Sequence, residues 1–195
     1  MNDRLTELLG EIRELEKRVQ EEMRRRQDEL RYSISNGRVR FEREIAELHK
    51  RWATSSFFYV VRGSFLNLLT APVIYALFIP TAALDLCLWL YQAVCFPIYT
   101  IPKVRRSDHF FLDRRYLQYL NYIERLNCDY CSYFTGLISY ATEIGARTEQ
   151  YWCPIKHASA AAARHSRSRY FADYGDAEQY RTRLEAIRRQ FEDIS

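Results

Sequence analysis

Four potential metal ligands, Cys128, Cys131, Cys153 and His157, stand in the order C-x2-C-x21-C-x3-H. Two thiolates three residues apart can grip one ion, and a second pair four apart can reach it from a facing segment, so the spacing predicts a single Cys3His coordination sphere. Zinc is the first choice, because it suits a closed tetrahedral site. An iron–sulfur cluster held by the same thiolates is the alternative. A third possibility is thiol–disulfide exchange at Cys128 and Cys131 without a metal. The plain alternative to all three is that the cysteines pack as small apolar side chains. Around the site, Glu143, Arg147 and Glu149 form either a solvated ion-paired face or support for the ligands, and His165 is a further lone imidazole. The tyrosines between Tyr116 and Tyr151 read as packing with wetted hydroxyls. No residue is assigned a catalytic role: there is no Ser-His-Asp spacing, P-loop or nucleotide-binding glycine fingerprint.

These donors follow an apolar stretch from Gly63 to Ile101 whose only charged residue is Asp85. Gly63 to Leu84 is uncharged and, at about 1.5 Å per residue, reaches across a hydrocarbon core of about 30 Å. Leu86 to Pro102 is a second, shorter arm. Pro80 and Asp85 between them suggest the turn of a membrane hairpin, with Asp85 wetted there. Pro72 and Pro97 inside the arms make a shallow re-entrant course the competing reading. Lys50, Arg51 and Arg62 before the block, and Lys103, Arg105 and Arg106 after it, predict both termini on the cytoplasmic side. Cys87 and Cys95 read as ordinary side chains of the apolar arm, and a cytoplasmic setting argues against structural disulfides.

The remaining elements must position the site. Leu5, Leu8, Ile12, Leu15 and Val19 step at three and four residues among charged neighbours, which predicts an amphipathic, coiled-coil-like helix. A break is expected near Asn36 before Phe41, Ile45, Leu48 and Trp52 resume the stripe. Asp113 to Leu126 reads as a helix capped by Asp113, followed by a second from Tyr133 to Tyr151 that packs antiparallel to it, closing the cysteine knot through a bend at Gly136 or Gly145. Asp176 with Gln179 marks the start of a final amphipathic helix through Tyr180, Leu184, Ile187 and Phe191. The polar, charged amino terminus has no cleavable signal peptide pattern. A net charge of +4 with interleaved signs excludes a nucleic-acid arm.

The expected fold is therefore all-α. Residues 1–54 form amphipathic helices, 55–104 a membrane hairpin, 105–160 a helical metal-binding unit, and 161–195 a linker and closing helix. The strings NCDYCSY and EIGARTEQYWCPIKHA resemble an uncharacterised group of bacterial membrane proteins, over a stretch from about Ala71 to Ala158. The resemblance implies a prokaryotic membrane setting, with Cys128, Cys131, Cys153 and His157 in matching positions, and no particular reaction. Together these features lead to the expectation of a scaffold on the cytoplasmic face of a bacterial inner membrane. It would touch lipid through the apolar block and reach a protein partner or a second copy through its terminal helices.

Overall fold

The computed structural model describes residues 3–35, 38–62, 65–159 and 165–194. The chain is predominantly helical and divides into two compact units, residues 1–62 with 113–128 and residues 63–112 with 129–195.

In the first unit, helix α1 (Asp3–Glu29) ends at Arg31, whose φ of +49° turns the chain out of the helix. Strands β1 (Tyr32–Ser35) and β2 (Arg38–Phe41) then pair antiparallel, Tyr32 opposite Phe41 and Ile34 opposite Val39. A hairpin thus stands where a simple helix break was expected; Asn36 itself lies outside the described residues. β-branched and aromatic residues on both sides of the Asn-Gly pair explain the correction, since that dipeptide favours a tight strand turn. Helix α2 (Arg43–Arg51) packs its His49 ring between Phe41, at 4.8 Å, and Tyr119, at 5.1 Å. Helix α3 (Ser56–Arg62) completes this segment.

The second unit begins with α4 (Phe65–Ala76) and α5 (Phe78–Ile98), one apolar helical run interrupted only at Leu77. Pro80 has no N–H to offer the Ala76 carbonyl, so the ladder breaks there and restarts with Pro80 in the first turn of α5, where a missing donor is tolerated. The chain therefore does not reverse between Pro80 and Asp85, and the expected hairpin turn is replaced by continuous helix; Gly63, the expected start of the block, lies outside the described residues. Asp85 sits in mid-helix, its side chain 16% exposed.

A return segment leads from Tyr99 to α6 (Tyr122–Trp152), which is one unbroken helix of 31 residues. Of the expected helix over 113–126 only the last five residues are helical, as the start of α6; the rest is irregular, with a tight turn at Arg114–Tyr116, and Asp113 makes no side-chain cap. The actual cap is Asn121: its Oδ1 accepts from the Glu124 amide at 3.0 Å while Glu124 Oε2 accepts from the Asn121 amide at 2.9 Å. Neither Gly136 nor Gly145 bends α6. A Cβ at Gly136 would come within 2.9 Å of the His109 carbonyl, so this glycine lets the return segment lie against the helix.

Contacts between α4–α5 and α6 run in the same order along both. Tyr130 meets Ile74, Tyr133 meets Phe78, Tyr140 meets Gln92, and Tyr151 meets Tyr99. The two helices are thus parallel. Phe96, Ile101, Val104, Leu137, Tyr140, Ile144 and Phe191 form the core between them, with Phe191 contributed from beyond α7 (Ala177–Arg189). Helix α7 starts as expected: Asp176 caps it by accepting from the Gln179 amide at 2.8 Å.

Candidate functional site

The expected donors are not brought together. Cys131 lies in the third turn of α6 and Cys153 is the first residue beyond its end, so at 1.5 Å per residue about 33 Å of straight helix separates the two sulfurs' backbones. Cys128 stands one turn before Cys131 on the same helix, and His157 lies four residues beyond Cys153 with its side chain 76% exposed. A Zn–S bond is about 2.3 Å, so a single ion cannot be shared across this distance. Among the described residues no group of three His, Cys, Asp or Glu side chains is placed to hold a metal. A cluster that would need all three thiolates meets the same separation. All five cysteines are free, and Cys128 and Cys131 stand one turn apart on α6 as their spacing implied.

Three polar clusters organise the second unit instead. At the carboxyl end of α6, the Glu149 carbonyl accepts from the Cys153 amide at 2.8 Å, while its carboxylate lies 2.9 Å from His165 Nε2 and 3.9 Å from His157 Nε2. Two residues earlier, Arg147 donates to Glu143 Oε1 at 2.8 Å and to the Pro102 carbonyl at 2.8 Å, tying the helix to the return segment. Arg147 and Glu143 were expected near the donor knot and serve packing here. The third cluster is buried. Arg167, 1% exposed, donates twice to the Asp193 carboxylate at 2.8 and 2.7 Å, to Gln150 Oε1 and to the Gln190 carbonyl. Gln150 in turn donates to the Ile187 and Gln190 carbonyls at 2.8 Å each, satisfying the end of α7. Burial pushes the Asp193 carboxyl up, but the hydrogen bonds from Arg167 and Tyr170 outweigh it and hold it below its ordinary value.

The most distinctive surface is the outside of α4–α5. The run Phe65–Ile98 spans 34 residues at mean hydropathy 1.9 in its most apolar window, with 6% of that window buried, and it is the one helix among the described residues long and apolar enough to cross a membrane. Ile79, Leu86, Leu90, Val94 and Ile98 recur at helical spacing and are between 52% and 73% exposed. The opposite face carries the polar groups. Gln92 is buried, accepting from the Val104 amide at 2.8 Å and donating to Val104 O and Tyr140 Oη. Asp85 receives a two-pronged hydrogen bond from Arg106 and a further one from Tyr133 Oη at 2.8 Å. The Arg106 guanidinium also lies 4.3 Å over the Phe110 ring. Desolvation and the bond to Asp85 push the Tyr133 phenol up to about 12, so it stays a donor.

The sequence carried the signal for Asp85 only as an isolated acid in an apolar block. Its partners, Arg106 and Tyr133, lie 21 and 48 residues further on, and no local pattern connects them. No family model, curated protein or solved structure matches this chain.

Proposed function

We propose that this protein is a membrane-attached helical scaffold, resting on the cytoplasmic face of a bacterial inner membrane, with α4–α5 as its lipid contact and its terminal helices free for protein partners. The observation that carries this reading is the one-sided chemistry of Phe65–Ile98: a continuous apolar outer face, with Asp85 and Gln92 turned inward and satisfied. An exposed apolar surface of this extent marks an interaction site, and burial of each large side chain contributes about 1.5–3 kcal/mol.

The helix lies in the interface rather than crossing. Tyr130 of α6 donates to the Ile74 carbonyl at 2.7 Å, so α6 accompanies the apolar run, and the residue before Tyr130 is the charged Asp129. Sinking Ile74 to mid-bilayer would take Asp129 with it, at a cost of about 2.5–3.5 kcal/mol for such a charge. Lying flat lets the outer face enter the lipid while α6 and the exposed Lys103 stay at the headgroups. This course leaves both termini on one side.

Flotation with sealed vesicles tests the reading. The wild type is expected to float, and Ile79→Lys with Leu86→Lys to remain at the bottom while keeping its helical content. Tags at the two ends should be cut by protease added to one side only. Tags protected on opposite sides, or flotation unaffected by the two lysines, would reject the proposed attachment.

A further inference from the structure

Helix α1 holds a second unpartnered stripe, and its charges select an occupant. Ile12, Leu15, Val19 and Met23 follow one another at three and four residues and are 51%, 59%, 58% and 60% exposed. Around them, Glu14 pairs with Arg18, and Glu22 and Glu29 with Arg25 and Arg26, all along the helix itself. No residue of another element covers the stripe among the described residues.

In the heptad that places Ile12 and Val19 at a and Leu8 and Leu15 at d, Glu11 and Arg18 fall at g and Glu16 at e. A parallel, in-register pair faces each g with the following e of its neighbour, which sets Glu11 against Glu16 twice. An antiparallel pair faces g with g. With Ile12 level with Leu15 of the other helix, and Leu8 level with Val19, Glu11 meets Arg18 at both symmetric positions. The apolar seam stops at Glu22 and Arg26, so the contact is short and the complex concentration-dependent.

We propose that α1 binds α1 of a second copy of this chain in antiparallel orientation, through Ile12, Leu15 and Val19 flanked by Glu11–Arg18 pairs. This deepens the scaffold reading by naming the partner of its amino-terminal arm. Attachment of both copies to one membrane raises their effective concentration and favours the pair further.

Sedimentation of the full chain in detergent, over a range of concentrations, tests it. A monomer–dimer equilibrium is expected for the wild type. Glu11→Arg and Arg18→Glu alone should each weaken the dimer about tenfold, since two exposed ion pairs become repulsions. The double variant E11R/R18E should return it to the wild-type value. Val19→Asp should leave a monomer of unchanged helical content. A wild type that stays monomeric up to about 100 μM, a dimer tightened by Glu11→Arg as a parallel pair requires, or a dimer indifferent to all four variants overturns the proposal. Flotation of the same wild-type protein reports on the lipid contact alone, so failure of one reading is distinguishable from failure of the other.

Discussion

Helix α1 and helix α6 are of similar length, 27 and 31 residues, yet they are held by different means. Helix α6 is supported by tertiary packing: Leu137, Tyr140 and Ile144 are at most 1% exposed, and Arg147 and Gln150 tie it to segments distant in sequence. Helix α1 relies on propensity and on ion pairs within its own surface, each worth about 0.3–0.5 kcal/mol. The difference teaches that a regular apolar stripe marks a helix without saying whether the chain itself supplies what covers it. For α6 the cover is internal. For α1 no such cover is present among the described residues.

The comparison breaks most severely at Arg167. Replacing it by Ala leaves Asp193 to Tyr170 and Arg169 alone, removes the donor to Gln150 Oε1 and opens the end of α7, with an expected loss of about 3–5 kcal/mol in chemical denaturation. Val19→Asp on α1 should leave the unfolding of the second unit within about 0.5 kcal/mol of wild type. Gly136→Ala is expected to cost less than Arg167→Ala, about 1–3 kcal/mol, because the added methyl meets backbone that cannot move freely. Gly145→Ala on the same helix points to open space and should stabilise by about 0.5–1 kcal/mol. Opposite signs from one substitution in one helix would sharpen the contrast between its covered and uncovered faces. Equal signs would mean that the return segment does not lie against Gly136.

Acid titration gives a finer probe. Asp193 has its carboxyl lowered in the folded state, so its contribution is present above the ordinary carboxylate value of about 3.9 and fades as pH falls through the lower folded value. Protection of α7 backbone amides should therefore decline on acidification below about pH 4. In Asp193→Asn that decline should be absent. A decline that persists unchanged in the variant would assign it to other carboxylates.

Helical class, the cap at Asp176 and the exposure of the apolar run were legible because each is a local pattern. The cap at Asn121 was equally local, an Asn with Glu three residues on, and was obscured by the helical periodicity of Tyr116, Leu117 and Leu120 just before it. The donors stand apart for a different reason. Their spacing required α6 to fold back, and the glycines looked like the place. Yet Gly136 is present to admit a neighbouring backbone, and the helix passes straight through it. Spacing in sequence constrains distance only where the intervening chain is known to turn.

The inward-facing acid of α5 has a consequence for synthesis. Asp85 emerges 21 residues before Arg106 and 48 before Tyr133. At translation rates of about 5–20 residues per second, that leaves an interval of about 1–4 seconds before Arg106 in which an apolar helix displays an unneutralised carboxylate. During that window the nascent segment resists deep entry into lipid, because the Arg106 that neutralises the acid has not yet been made. If α4–α5 meets lipid as proposed, a chain stopped before Arg106 should be recovered with membranes less than one stopped after it.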